Sequence, residues 1–137
     1  MTQQHLQLIA SAAHQKPSDD DTHVVQLSND ADPFTLKDRL DQLERIDLDF
    51  PNFTDGRAYS QAYLLRRRLG YKGELRATGD VLIDQLVQMQ RTGFSSAVLK
   101  EGVDAADARR QFERFSAYYQ ADAEVLTPVF KRPSPSR

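Results

Sequence analysis

Apolar residues recur along the chain in two rhythms. Ile46, Leu48 and Phe50 alternate with Arg45, Asp47 and Asp49, and Leu75 and Ala77 alternate with Glu74 and Arg76. A period of two belongs to a strand with one apolar and one polar face. Elsewhere the step lengthens to three and four residues. Leu36, Leu40 and Leu43 form one such series, and Ala58, Ala62, Leu65 and Leu69 form another. Leu82, Leu86 and Met89 follow, then Ala105, Ala108, Phe112, Phe115 and Tyr119. These are buried stripes of helices. The pattern predicts strands at 23–27, 45–50, 73–77 and 95–99. Helices follow them from Asp32-Pro33, over Arg57 to Leu69, from Val81 to near Gln90, and from Asp104.

The punctuation agrees. Pro33 suits a first helical turn, and Pro51 lacks the donor that a strand ladder needs. Gly70 is placed as a left-handed C-cap, Gly93 ends the third helix, and Asp80 and Asp104 read as N-caps. Strands alternating with helices through short connections imply βα units and a parallel sheet. The fold class is therefore α/β with about four such units. Strands covered by helices on both sides read as nearly continuous apolar runs. Here charge occupies every second position, which predicts a one-sided or half-barrel-like sheet, a small three-layer α/β sandwich being the alternative. An open charged face with exposed edges is a liability. That predicts a homodimer or a stable partner complex.

A length of 137 residues fits one domain. Residues 1–22, polar apart from the patch Leu6, Leu8, Ile9 and Ala10, read as a flexible N-terminal segment, the patch either staying loose or adding an edge strand. Residues 23–127 form the α/β domain, and 128–137, ending KRPSPSR, read as a disordered tail. A formal charge of −2 gives no global attraction to nucleic acid or anionic membrane. The absence of cysteine excludes disulfides, thiolate-held clusters and a cysteine nucleophile. His5, His14 and His23 lack metal-ligand spacing. No apolar run approaches the ~18 residues of a membrane helix, so the expected address is the cytoplasm.

Candidate chemistry concentrates between Phe53 and Gln85. In parallel α/β folds ligands sit beyond the C-terminal strand ends. The loops expected there carry Asp55-Gly56-Arg57, Thr78-Gly79-Asp80 and Lys100-Glu101-Gly102. One reading is an anion held at the helix start by Arg57, Ser60, Arg76 and Lys100. The other makes Asp55 and Asp80 helix caps, Gly56 and Gly79 turns, and Arg57 the partner of a carboxylate such as Asp84. Arg66-Arg67-Arg68 is either a docking patch or a solvated helix end. Asp47, Asp49 and Glu74 form either an acidic cluster for cation or acid–base work or a cross-strand ladder with Arg45 and Arg76. The glycines match neither the Walker A nor the dinucleotide pattern.

The runs FTDGRAYS (53–60), LLRRRLGY (64–71), GELRATGDV (73–81), DQL (84–86) and RTGF (91–94) resemble a bacterial family of unknown function. Its members are often labelled oxidoreductases of sulfite reduction, because their genes lie beside assimilatory sulfite reductase. The family commonly has cysteine where this chain has Thr92, so no thiol role carries over there. The resemblance implies an accessory role beside the sulfite reductase haemoprotein. Its motif comprises Asp55, Gly56, Arg57, Ser60, Arg66, Arg68, Glu74, Arg76, Gly79, Asp80, Asp84 and Gln85. The docking or anion-binding set is expected among these, together with Lys100. The alternatives are a small oxidoreductase using a dissociable flavin or nicotinamide, and an anion-sensing module.

Overall fold

The alternating run at 45–50 forms a strand with those limits, β3 (Arg45–Phe50), and its Ile46, Leu48 and Phe50 are fully buried. The structure, a computed structural model, describes residues 6–18 and 20–126, with the side chains of 118–126 left aside. The remaining strands are β1 (Gln7–Ile9), β2 (Val24–Leu27), β4 (Glu74–Gly79) and β5 (Ser96–Val98). All pair in parallel, in the order β1-β5-β4-β3-β2. The sheet is open, as expected. From β2 to β5 each strand lies beside the next, so right-handed crossovers carry every helical connection over the same face.

That face holds the core. A 3-10 segment, Pro33–Gln42, is capped by Asp32, whose carboxylate accepts the Phe34 N–H at 3.0 Å. Helix α1 (Arg57–Tyr63) continues into a wider π-type turn, Leu64–Arg68, which closes at Gly70 with φ +70°. Helices α2 (Leu86–Thr92) and α3 (Ala105–Leu126) complete the layer. Ala58, Ala62, Leu65, Leu86, Met89, Ala108 and Phe112 are buried against Ile46, Leu48, Phe50, Leu75 and Ala77. Tyr119, expected on the same stripe, lies outside the described side chains, as the 128–137 tail lies outside the described residues.

Two expectations change. Residues 7–9, within the segment read as flexible, form the edge strand β1, in which the Gln7 N–H donates to Ser95 O at 2.9 Å. Leu6 beside it is fully buried. Three residues in a polar context carry no periodicity, and their partner β5 lies far along the chain. Asp80, expected to cap a helix from Val81, does not. Its N–H donates to Phe50 O, the chain stays irregular to Leu82, and one 3-10 turn (Ile83–Gln85) leads into α2.

From β1 the chain must reach β2 at the far edge of the sheet. It crosses the polar face as an arm, residues 10–18. Arg45 Nη2 donates to Gln15 O at 2.9 Å, and Arg76 Nη1 meets His14 Nδ1 at 3.0 Å. The polar face is thus roofed by the chain's own N-terminal arm rather than left open to a partner.

Candidate functional site

The sequence-selected residues separate into three places. At the C-terminal rim of the sheet lie Asp55, Gly56, Arg57, Ser60, Gly79, Asp80, Asp84 and Lys100. Under the arm lies Arg76. At the opposite, N-terminal end of the strands lie Arg66 and Arg68.

The rim is a chain of charge-assisted contacts. Asp55 grips Arg57 twice, at 3.1 Å to Nε and 2.8 Å to Nη2, and accepts the Arg57 N–H. Asn29 Nδ2 donates to the second Asp55 oxygen at 2.7 Å. Arg57 therefore pairs within its own loop, not with Asp84. The start of α1 already carries a carboxylate, that of Asp55, where an external anion was expected. These hydrogen bonds, chiefly from Arg57, hold the Asp55 carboxyl down to about 2. A depressed acid stabilises the fold above its unfolded value, and that contribution disappears as pH falls through the folded one. The Asp55 carboxyl is therefore expected to stay ionised at pH 3, with its NMR carbon shift moving only near pH 2. A midpoint close to 4 would mean that the clamp does not persist in solution.

The neighbouring loops hold a single aromatic residue. Asp80 Oδ2 accepts the Phe53 N–H at 2.8 Å, and Gln85 Nε2 donates to the Phe53 C=O at 3.0 Å. Lys100 Nζ lies 2.8 Å from the other Asp80 oxygen. The hydrogen bond from Lys100, and then that from the Phe53 N–H, lower the Asp80 pKa against a smaller opposing effect of desolvation. Both backbone polar groups of Phe53 are engaged while its side chain stands in solvent, the residue being 48% exposed. Phe34, just past the C-terminal end of β2, is 43% exposed. Gly79, with φ +93°, brings its backbone against Phe50; a Cβ there would lie 2.3 Å from Phe50 O.

Beneath the rim, Tyr59 packs edge-on to Phe50 and Phe94 at centroid distances of 5.0 and 6.3 Å. Its hydroxyl and Gln85 Oε1 are buried without hydrogen-bond partners among the described residues. Burial, with the nearby Asp84 charge, raises the Tyr59 pKa. The two tyrosines of α1 thus sit in different surroundings. Tyr59 is core, whereas Tyr63 is exposed with Arg67 over its ring at 5.5 Å.

Arg76 meets Glu74 at 2.9 Å and Ser96 Oγ at 3.3 Å, and Asp47 accepts Arg45 Nε at 2.8 Å. The ion pairs run along each strand, two residues apart, rather than across the strands as the ladder reading expected. His14 Nε2 lies 3.8 Å from Asp47. Because arginine only donates, His14 Nδ1 accepts from Arg76 and the ring is neutral with its proton on Nε2. Burial above all, with the Arg76 and Arg45 charges, lowers the His14 pKa against the opposing pull of Asp47. Arg66 points inward, with Nε to Gly93 O, Nη1 to Tyr71 O and Gly73 O, and Nη2 to Ser95 Oγ, all between 2.7 and 3.0 Å. It joins strand ends and is not displayed for docking, while Arg67 and Arg68 are exposed.

Sequence reasoning missed Phe34, Phe53, Asn29 and the arm residues His14 and Gln15. For Phe53 the signal was present: an apolar residue directly before Thr-Asp-Gly, in a loop that has no reason to bury it. Among the described residues, no group of three His, Cys, Asp or Glu side chains is placed to hold a metal ion, and no helix is long and apolar enough to cross a membrane.

Residues 24–130 match the family model described as "Bacterial protein of unknown function (DUF934)". The arm and β1 precede the matched residues. No curated protein and no solved structure matches the chain.

Proposed function

This chain belongs to that bacterial family, DUF934, and we propose that it is an accessory docking protein of sulfite reduction, meeting the sulfite reductase haemoprotein through the rim. The observation that carries a docking role is Phe53, a solvent-exposed ring on a backbone held from both sides by Asp80 and Gln85. Aromatic and arginine anchors dominate protein interfaces, and an anchor fixed before contact loses little freedom on binding. Phe34 extends the apolar part of the rim, and Arg57 and Lys100 flank it with side chains 61% and 47% exposed. The motif residues Asp80, Gln85, Asp55 and Arg57 then act together: they shape the loop that presents Phe53. The choice of sulfite reductase as partner rests on the family resemblance of the motif.

The test is retention of the purified haemoprotein on the immobilised chain. Phe53→Ala is expected to weaken it by about 30-fold, the ~2 kcal/mol of an interface hot spot. Phe53 is exposed, so the variant should fold as the parent does. Failure of the parent chain to retain the haemoprotein at micromolar concentration would sink the assignment.

One further observation favours the oxidoreductase alternative. The chain leaves β1 towards the arm face and leaves β5 towards α3 on the helical face. Adjacent strands with connections on opposite faces open a crevice at their C-terminal ends, where nucleotide cofactors bind in open α/β sheets. Lys100 stands at its edge. Titration with a flavin mononucleotide or a reduced nicotinamide dinucleotide separates the two readings, since docking through Phe53 requires neither.

A further inference from the structure

Between the arm and the edge strand β2 lies a groove of about 450 Å³, outside the rim. That volume falls within the ~300–1,000 Å³ typical of small-molecule sites. Its walls come from Pro17 and Ser18 of the arm, Val24 and Gln26 of β2, Asp49 of β3, and Arg39 from the 3-10 segment. Two of the other polar side chains lining it are already engaged. Asp21 accepts the N–H groups of His23 and Val24, and Ser28 Oγ donates to Asp30.

The charged pair is different. Asp49 is half-buried at the end of a strand, yet no hydrogen bond or ion pair reaches its carboxylate among the described residues. The arm's Lys16 acts on it only from beyond ion-pair distance. Burial accordingly raises the Asp49 pKa. Arg39 likewise has no partner among the described residues and is exposed at the groove. A desolvated carboxylate with no counter-charge in contact is costly to keep, and a cation delivered from solution would relieve it.

We propose that this groove binds a small zwitterion of the α-amino-acid class, its ammonium on Asp49 and its carboxylate on Arg39, with Gln26 and the arm's Ser18 as neutral hydrogen-bonding partners. Asp49 supplies acceptors for an ammonium, and the Arg39 fork suits a carboxylate. Val24 and Pro17 offer the apolar surface that a side chain would meet. This site is independent of the rim, and neither Phe53 nor Lys100 contributes to it.

The experiment is a thermal-shift and calorimetric screen of the full chain against the standard amino acids, run beside a simple alkylamine and a simple alkyl carboxylate. At least one amino acid is expected to bind, while each half-ligand binds at least about tenfold more weakly. Asp49→Asn should lower the affinity at least about tenfold, and Arg39→Gln should do the same. Asp49→Asn removes an unpaired charge, so its melting temperature without ligand should equal or exceed the parent's, which separates lost binding from lost folding. Three results would each overturn the proposal: no amino acid binding at about 10 mM, a regime near −3 kcal/mol; undiminished binding by the Asp49 variant; or an alkylamine that binds as well as the amino acid and ignores Arg39→Gln.

Discussion

Replacing Arg66 with alanine is expected to destabilise the protein by about 3 kcal/mol or more, because several partly buried acceptors lose a charged donor at once. Its guanidinium joins the turn after α1, the entry to β4 and the end of α2 through Tyr71 O, Gly73 O and Gly93 O, and reaches Ser95 before β5. Arg66→Lys should recover little, since one ammonium cannot reproduce a planar fork that serves carbonyls in different directions. Arg68→Ala, on the exposed side of the same turn, should stay within about 0.5 kcal/mol of the parent. Urea unfolding followed by far-ultraviolet circular dichroism measures all three, as the chain has no tryptophan. Equal midpoints for the Arg66 and Arg68 variants would contradict the assignment.

The second large effect is expected at Asp47, which is 1% exposed beneath the arm. Asp47→Ala should cost about 3–5 kcal/mol, the usual result of removing one member of a buried ion pair. Its bidentate contact orients Arg45, and Arg45 in turn holds Gln15 of the arm. Losing the carboxylate leaves Arg45 and Arg76 under the roof beside His14 with only Glu74 to balance them. The arm should therefore loosen before the sheet does. Amide hydrogen exchange distinguishes the cases: accelerated exchange around residues 10–18 at a denaturant level where β3 and β4 remain protected supports the latch. Uniform acceleration across the sheet would instead make Asp47 a general core element.

The parts of the fold that were legible are those where burial writes a period into the sequence. Alternation at 45–50 located β3 to the residue, and the stripe Ala58, Ala62, Leu65 identified the buried side of α1. β1 was legible only as an apolar patch that could add an edge strand or stay loose, because three residues cannot show a period and their stability comes from pairing with a distant strand. Nor was the roof: alternation says that Asp47 and Arg76 share a face, not what lies over it. The rim residues were gathered correctly as βα loops, yet their partners were not. Asp55 and Asp80 were read as caps because capping is local. In the fold Asp80 instead reaches a loop 27 residues away, at Phe53. Arg66 looked like part of a basic surface because three successive arginines give no hint of which one the turn directs inward.

The placement of β1 also bears on how the chain comes into being. The sheet's first strand in chain order pairs with its last, Gln7 with Ser96 and Ile9 with Val98, and Leu6 beside it reaches the helices: its N–H donates to Gln90 Oε1 across 84 residues, and its C=O accepts from Arg109 across 103. As the polypeptide emerges from the ribosome, β2, β3 and β4 each find a neighbour soon after synthesis. β1 must wait until nearly the whole domain exists. Throughout that interval Leu6, Leu8 and Ile9 are exposed on a tether whose following residues are mostly polar, which keeps the waiting segment short of a sticky run. Because the arm follows β1 directly in the chain, closing the sheet at β1 and drawing the arm across the polar face are coupled.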